Sequence, residues 1–530
     1  MGRLENSEAL LNDYNPNCFF VTSEPKDEND SCTTASCQGR ANIERSFLQH
    51  NLHNDSDLMP NRPRLFPLLL LLALVPASAL AQNPNPSPAL DAFIYEEMGL
   101  ENIPGMSTLI VKGGEIVWVE SYGLADIEND IPVSDSTAFL MASVSKLFTG
   151  TALMQLHESG QLDLDEDINN HLPFDVNIPN HLDSPITFRM LMTHTSSIQD
   201  NGAVMDTYYS FGDPTITLAD CMERYFSASG ADYNAQNNFS NGAPGTNFDY
   251  SNMATALAGY LVEVISGELF DQYSNTNLFE PLCMHNTAWY LSEFDTLQVA
   301  RPYQFQGGQF SPFSHYGFAD YPNGLLRSSV KDLANFMIAY LQGGAFNGDQ
   351  LLSEPSIEEM LTLQIQGIEN TQGLNWYQTE IYLSGGGVVD LWGHNGGESG
   401  ATTDLYIDPE NEIGVVVLSN AEGENLYVVD ELYDYALALS TSGVGNPACG
   451  TVSVAEASIG EVPPSLYPNP ASGAFTIASE SGGLFILYSA QGKEVLREEV
   501  GPREQMSTSK LEVGHYTGRL NNAYFKLIIQ

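Results

Sequence analysis

Apolar and alternating stretches near both ends of residues 90–440 predict strands, whereas the middle of this region has a different pattern. Helices are expected at Leu90–Leu100 and at about 425–439, and residues 160–340 are rich in helices and loops. Terminal strands with helices between them predict an α+β domain, an antiparallel sheet with flanking helices plus a helical subdomain. The strands are expected at Thr108–Lys112, Ile116–Tyr122, Val388–Trp392, Thr402–Ile407 and Ile413–Leu418.

A second β pattern follows a linker at residues 441–460 that is rich in Gly, Ser and Ala. Short apolar runs separated by Gly-containing turns indicate a small all-β sandwich domain at residues 461–530. Its strands are expected at Phe475–Ala478, Leu484–Tyr488, Glu494–Val500, His515–Leu520 and Tyr524–Ile529.

The first 81 residues divide into two segments of different composition. Residues 1–58 are polar and patternless, so they are interpreted as an unstructured extension or as an artefact of a start site upstream of Met59. Residues 59–81 combine a basic start, a short apolar run and an Ala-x-Ala ending, which is typical of a secretory signal peptide. A membrane anchor is the alternative, although the run is short for a span. The mature domain, residues 82–440, is expected to have no stable membrane span.

The charge balance excludes some partners. The 530 residues include 67 acidic and 19 basic side chains, which gives a formal net charge of −48. Such a surface repels phosphate backbones and anionic membranes, so nucleic-acid binding is disfavoured. Strong self-repulsion is screened by salt, which suggests a salt-tolerant source. A melting temperature that rises between low and roughly molar salt would support this hypothesis.

The cysteines do not predict a metal site. Only Cys221, Cys283 and Cys449 would remain after signal-peptide removal, and none has zinc-ligand spacing. A Cys221–Cys283 disulfide and free buried thiols both remain open. Neither a metal nor a cofactor is predicted.

Four Ser-x-x-Lys sequences occur, at Ser23, Ser143, Ser328 and Ser507, and their contexts separate them. Only Ser143 precedes a long helix with an apolar stripe, which is predicted to extend to about residue 158. Residues three apart on a helix share a face, so Lys146 can take the proton of the Ser143 hydroxyl and make it a nucleophile. A helix-capping serine is the structural alternative, and it is preferred for Ser328.

Two further clusters would complete a serine site. Tyr250 and Asn252 precede an apolar helix, and they can supply a proton-shuttling hydroxyl and an amide that holds a carbonyl. His394, Gly396 and Gly397 follow a predicted strand, where glycines permit close approach of a ligand. The Tyr-x-Asn spacing also occurs at Tyr273, Tyr321 and Tyr467, so a turn-forming asparagine remains the alternative at each copy.

The combination of these motifs resembles the penicillin-recognising serine hydrolases, a family that includes class C β-lactamases, D-alanyl-D-alanine carboxypeptidases and related esterases. The resemblance covers roughly residues 90–440. It is carried in order by Ala142-Ser-Val-Ser-Lys-Leu-Phe-Thr149, Ile186-Thr-Phe-Arg-Met-Leu-Met-Thr-His194-Thr-Ser-Ser197, Pro244-Gly245, Tyr250-Ser-Asn252, Gly393-His-Asn-Gly396 and Ile407-Asp-Pro409.

The resemblance implies a role for each site residue. Ser143 would be the acylating nucleophile, with Lys146 and Tyr250 as base and proton relay. Asn252 would position the substrate, His394 and Gly396 match the third motif, and the backbone N–H groups of Ser143 and Gly397 would form the oxyanion hole. The third motif is His-x-Gly rather than Lys-Thr-Gly, which looks more like the esterase and peptidase branches. Ser197 and Cys283 stand where the family usually has glycine.

The tail that begins at Tyr467-Pro-Asn-Pro470 is similar to the C-terminal sorting domains of type IX secretion in Bacteroidota. Gly492-Lys493, the segment Leu511-Glu-Val-Gly514-His-Tyr516 and the terminal Phe525-Lys-Leu-Ile-Ile529 support this similarity. It implies recognition by the type IX machinery and export to the cell surface or the medium.

Two other interpretations compete with this one. An α/β-hydrolase elbow at Gly397-Glu-Ser399-Gly-Ala401 would need an acid and then a histidine downstream, and the only downstream histidine is His515 in the tail. A catalytically inactive secreted binding protein on the same fold is the second. We therefore expect a secreted serine hydrolase that acts through a Ser143 acyl-enzyme on an ester, amide or lactam bond. If neutral His394 serves as a hydrogen-bonding group, activity should fall below roughly pH 6. The substrate and the oligomeric state remain open.

Overall fold

A computed structural model describes residues 83–442 and, in the C-terminal domain, residues 465–467, 474–478, 483–489, 494–501, 503–507, 511, 514–520 and 523–529. The predictions for the extension at 1–58, for the signal peptide at 59–81 and for most of the linker lie outside these ranges. The described helices are α1 (Pro88–Glu101), α2 (Ser145–Glu158), α3 (Phe188–Met192), α4 (Gly202–Met205), α5 (Leu218–Phe226), α6 (Asn252–Ser266), α7 (Phe270–Ser274), α8 (Val330–Leu341), α9 (Glu354–Met360) and α10 (Leu426–Ala438).

The described strands before the linker are β1 (Gly105–Lys112), β2 (Glu115–Asp126), β3 (Ile131–Pro132), β4 (Phe139–Leu140), β5 (Tyr209–Phe211), β6 (Tyr303–Gln306), β7 (Gln309–Pro312), β8 (Tyr316–Phe318), β9 (Arg327–Ser328), β10 (Ala345–Phe346), β11 (Asp349–Gln350), β12 (Tyr377–Tyr382), β13 (Val388–Glu398), β14 (Ala401–Asp408) and β15 (Ile413–Ser419). Those after it are β16 (Ser465–Tyr467), β17 (Ala474–Ala478), β18 (Gly483–Ser489), β19 (Glu494–Val500), β20 (Arg503–Ser507), β21 (Gly514–Leu520) and β22 (Ala523–Ile529).

The predicted antiparallel sheet joins both ends of the first domain. Its strand order is β12-β13-β14-β15-β1-β2-β3. The last strand of the domain lies against the first, with Leu109 opposite Val416 in the β1–β15 register. The sheet and its helices confirm the α+β prediction. The first and last strands pair with each other, and the helices of the intervening chain pack in one core with a face of the sheet.

Both faces of the central strands are buried, which explains their nearly continuous apolar sequences. Leu109 packs in a core with Leu147 of α2 and Phe336 of α8, whereas Ile110 faces a second core with Leu432 of α10. Residues that alternate along β1 therefore contribute to opposite layers. This packing fixes the sheet as a rigid wall beside α2.

The cysteine pairing left open by the sequence is not the one between Cys221 and Cys283. Cys221 is a free thiol on the buried face of α5, and burial raises its pKa well above the ordinary value. Cys283 is disulfide-bonded, and its partner is not Cys221. Cys283 and Ser197 both have positive φ, 56° and 63°, the backbone region that favours glycine.

The tail forms two antiparallel sheets, ordered β16-β17-β20 and β19-β18-β21-β22. The five predicted strands are present, and β16 and β20 are additional. The sequence of β20, Arg-Glu-Gln-Met-Ser, is too polar to predict a strand from hydrophobicity.

No single helix within the described ranges is both long and apolar enough to cross a membrane. Helix α6 and the segment Phe270–Phe279 meet that criterion only when taken together, across a bend of 82°.

Candidate active site

The Ser143 hydroxyl and the Lys146 amine meet at the start of α2. Ser143 lies in a short 3-10 turn, Ala142–Val144, that leads directly into the helix. Lys146 Nζ lies 3.0 Å from Ser143 Oγ, 2.7 Å from Asn252 Oδ1 and 2.8 Å from the carbonyl oxygen of Asn323. All three partners are neutral. The lysine is therefore fully hydrogen-bonded without an adjacent carboxylate.

This environment makes Lys146 a weak base by lysine standards. Its side chain is completely buried. Burial disfavours the ammonium form and lowers the pKa of Lys146 to about 7, although the more distant charges of Asp200, Asp320 and Glu398 oppose the change. A substantial fraction of neutral amine is thus present at neutral pH, and this amine can accept the serine proton.

Tyr250 lies across the same lysine. Lys146 Nζ is 4.9 Å from the centroid of the Tyr250 ring, and the Ser143 side chain interacts with the Tyr250 hydroxyl. Burial raises the pKa of Tyr250 well above its ordinary value, and the interaction with Ser143 only partly offsets this. The phenol therefore keeps its proton at neutral pH, which suits a donor in a relay better than a base.

Asp200 fixes the segment that carries Tyr250 and Asn252. One Asp200 oxygen accepts from Ser251 Oγ at 2.8 Å and from Met253 N at 3.0 Å, and the other accepts from Asn252 N at 2.9 Å. These amides are the unpaired donors at the N-terminus of α6. Since Asn252 Oδ1 is occupied by Lys146, its amide NH₂ remains available to a substrate carbonyl.

The third motif lies within β13, not after it as the sequence suggested. A Cβ added at Gly396 would come within 2.6 Å of the Met141 carbonyl oxygen and 2.9 Å of Ser143 N. Thr403 Oγ1 donates to the same Met141 carbonyl at 2.7 Å, which ties the sheet to the turn that holds the serine. Only glycine at residue 396 allows this approach, so the strand forms one wall of the site.

His394 is a neutral hydrogen-bonding group. Its Nδ1 contacts the Asn395 carbonyl, and because a carbonyl only accepts, Nδ1 carries the proton and Nε2 is an acceptor. Burial and the Lys146 charge lower the pKa of His394 to about 3. His394 therefore stays neutral at pH 6, so its protonation does not account for the loss of activity expected below that pH. Lys146, whose pKa is about 7, is the group that titrates in this range.

Three contributors to the site were not predicted as site residues. His194, known only as part of a motif, accepts from Ser251 N at 3.2 Å and packs under Tyr250 with ring centroids 4.4 Å apart. Asp200 belongs to a loop with no motif of its own. Asn323 contributes a backbone carbonyl, although Tyr321-Pro-Asn323 was interpreted as a turn. A backbone acceptor leaves no signal in the residue type.

The competing motifs have structural roles. The prediction that Ser328 caps a helix is wrong by one residue, because the cap of α8 is Ser329, whose hydroxyl accepts from Asp332 N. Lys331 pairs with Asp135 at 2.6 Å. Ser399 lies in the tight turn between β13 and β14, which are paired residue by residue, so it is not at a strand-to-helix elbow. Ser23 lies outside the described residues.

Comparison with known proteins identifies the class. Residues 90–440 match the beta-lactamase family model, and residues 465–530 match the model of the secretion system C-terminal sorting domain. The chain belongs to the beta-lactamase family. Its sorting domain marks it for export to the cell surface or the medium through type IX secretion.

Individual relatives are distant. "Protein flp" of Staphylococcus aureus strain MW2 is 24% identical over 343 residues, which are 63% of each chain. The chain thus spans less than two thirds of this relative's length. An octameric penicillin-binding protein homologue from Pyrococcus abyssi aligns with a TM-score of 0.53 at 21% identity, covering 83% of this chain and 99% of that one. D-amino acid amidase from Ochrobactrum anthropi SV3, solved with L-phenylalanine amide, aligns with a TM-score of 0.52 at 23% identity, covering 66% and 96%. These structures support the fold.

Proposed function

We propose that the protein is an exported serine hydrolase that cleaves an ester, amide or lactam through an acyl-enzyme on Ser143. The observation that carries this proposal is the 3.0 Å contact between Ser143 Oγ and a buried lysine amine whose pKa is lowered to about 7. A serine needs a neighbouring base to become nucleophilic, and the desolvated lysine, which has no adjacent carboxylate, meets that need.

In the proposed reaction, neutral Lys146 removes the Ser143 proton as Oγ attacks the carbonyl. The backbone N–H groups of Ser143 and Gly397 receive the developing negative charge on the carbonyl oxygen. Protonated Tyr250 delivers a proton to the leaving group and is reprotonated through Lys146. The Asn252 amide holds the substrate, and His394 Nε2 accepts a hydrogen bond from it. Water then hydrolyses the acyl-enzyme by the reverse proton path.

The electrostatics of the site favour esters and amides over penicillin-type lactams. Lactams and D-Ala-D-Ala peptides carry a carboxylate, which a cationic third motif would bind. Here that position holds neutral His394, and half-buried Glu398 follows four residues later on the same strand. A relative by fold, the Ochrobactrum amidase, acts on amides as its name states.

A secreted binding protein on a dead hydrolase fold is the alternative. The intact hydrogen-bonded set around Lys146 argues against it, because a buried lysine without a counter-ion costs stability and has no value in an inert pocket.

The test is labelling of the full chain with a fluorophosphonate probe, followed by profiling with nitrocefin, a D-Ala-D-Ala peptide and p-nitrophenyl esters. Wild-type protein should be labelled, and Ser143→Ala should lose labelling and hydrolysis together. Ser328→Ala is the matched control and should be labelled like the wild type. Labelling that persists in Ser143→Ala would refute the assignment.

A further inference from the structure

Glu398 is a carboxylate at the active-site wall that the proposed reaction does not use. It ends β13, and side chains alternate along a strand, so it shares a face with His394 and Gly396. That face approaches Ser143, since a Cβ at Gly396 would lie 2.9 Å from Ser143 N. Glu398 also acts through space on Lys146. The carboxylate therefore lies on the nucleophile side of the sheet.

The hydrogen-bond partners of Glu398 within the described residues are neutral. Tyr209 donates its hydroxyl proton to Oε2 at 2.9 Å, and the backbone N–H of Ser399 donates to Oε1 at 2.8 Å. Among the described residues no lysine, arginine or histidine forms an ion pair with this carboxylate. Burial raises the pKa of Glu398. A half-buried carboxylate without a cation is an incomplete arrangement that a positively charged ligand would complete.

A second buried acid strengthens this charge pattern. Asp320 is 2% exposed, and its Oδ1 has no hydrogen-bond partner within the described part of the chain. Asp320 interacts through space with Lys146 and Glu398, and burial raises the pKa of Asp320 to about 7. When Lys146 is neutral, Glu398 and the ionised fraction of Asp320 add negative charge near the nucleophile without a compensating cation.

Aromatic rings line the same side. Tyr209 is 42% exposed, and its ring lies 5.1 Å from that of Phe318 and 5.9 Å from that of Tyr316. Tyr250 is 39% exposed, and its ring centroid lies 4.9 Å from Lys146 Nζ. Aromatic faces beside a carboxylate are the chemistry by which proteins bind ammonium groups.

We propose that Glu398, held by Tyr209, binds a protonated amine of the substrate close to the bond that Ser143 attacks. This inference rests on the proposed function and specifies its substrate class as amino-acid-like amides or esters with a free amine. An ammonium on the carbon next to the carbonyl fits, because Glu398 immediately follows Gly397, the proposed oxyanion donor. The Cα atoms of these two residues lie about 3.8 Å apart.

The experiment measures protection of Ser143 from fluorophosphonate labelling near neutral pH, in the full chain. The competitors are alaninamide (cationic), N-acetylalaninamide (neutral) and N-succinylalaninamide (anionic), each as both enantiomers. We expect the cationic compound to protect at a concentration at least about tenfold lower than the neutral one, and the anionic compound to protect least. Glu398→Gln should reduce protection by the cationic compound about tenfold or more.

Glu422→Gln is the matched control, because Glu422 is exposed and also acts on Glu398 through space. It should change protection by less than about twofold. Tyr209→Phe keeps the carboxylate and removes only its donor, so it should weaken cation protection by about threefold even if Glu398→Gln does not fold. Equal protection by the neutral and cationic compounds, no protection by any of them, or an unchanged Glu398→Gln would overturn the inference. Absence of Ser143-dependent labelling would instead overturn the proposed function.

Discussion

Two Ser-x-x-Lys sequences begin helices in this domain, and the surroundings of their lysines differ. Lys146 is completely buried, and its partners are a hydroxyl, an amide oxygen and a carbonyl. Lys331 is partly exposed, at 36% of its side chain, and pairs with the Asp135 carboxylate at 2.6 Å. The same Ser-x-x-Lys spacing therefore gives a buried lysine with neutral partners in one place and a surface ion pair in the other.

The difference shows that the partners of the lysine, more than the spacing, determine its chemistry. A carboxylate stabilises the ammonium form, whereas neutral acceptors in a buried site do not compensate for lost hydration. The serines differ as well. The Ser143 hydroxyl accepts a hydrogen bond from Lys146. Ser328 instead hydrogen-bonds with Thr287 at 2.7 Å, and its neighbour Ser329 caps the helix.

The largest expected effect comes from removing each lysine in turn. Lys146→Met should lower kcat by about 10³-fold, because the base that takes the Ser143 proton is lost while the apolar volume is kept. Lys331→Met should leave kcat within about twofold, since a surface ion pair contributes little. The measurement is steady-state hydrolysis of the best substrate from the profiling panel. Similar losses in the two variants would show that the environment of Lys146 has no special role.

A second prediction gives Lys146 the kind of partner that Lys331 has. Asn252→Asp places a carboxylate at the position of an oxygen that is 2.7 Å from Nζ, which stabilises the ammonium and raises the pKa of Lys146 from about 7. Since the neutral amine is the base, the acid limb of the kcat/KM profile should move from near pH 7 to higher pH by about one to two units. Activity at pH 7 should fall at least about tenfold.

Asn252→Ala is the control for this experiment. It also removes the substrate-holding amide, so kcat/KM should fall, but without a new charge the limb should not move to higher pH. An Asn252→Asp profile with its limb still near pH 7 would contradict the role of Lys146 as the titrating base.

The sequence predicts strands best where both faces are buried, because such strands have continuous apolar sequences. Strand β15 was expected at 413–418 and is Ile413–Ser419. The edge strand β12 was missed because Tyr377–Tyr382 mixes polar and aromatic residues, as expected for a strand with one exposed side. Likewise, Ser143 and Lys146 were expected to share a face of one helix, although Ser143 lies in the 3-10 turn that precedes α2.

The site could be predicted only where side-chain type carries the chemistry. Ser143, Lys146, Tyr250 and His394 came from motifs with fixed spacing, and the structure brings them together. Asp200 acts from a loop about fifty residues before the segment it holds, and Asn323 acts through its backbone. Contacts that depend on tertiary structure or on main-chain atoms have no local pattern.

The smallest effect we predict concerns how the two helices are capped. Asp200→Asn removes the charge that holds Ser251, Asn252 and Met253 at the N-terminus of α6, so it should lower the free energy of unfolding by about 1 kcal/mol. We also expect kcat to fall about fivefold, because Tyr250 and Asn252 are displaced and the transition state loses a similar stabilisation. Ser329→Ala, which removes the cap of α8 beside Lys331, should cost a similar ~1 kcal/mol with kcat unchanged. Urea unfolding and steady-state kinetics on both variants separate the two outcomes: an equal loss of activity would mean that a cap matters only for stability of the fold, whereas a loss confined to Asp200→Asn identifies Asp200 as a positioning residue.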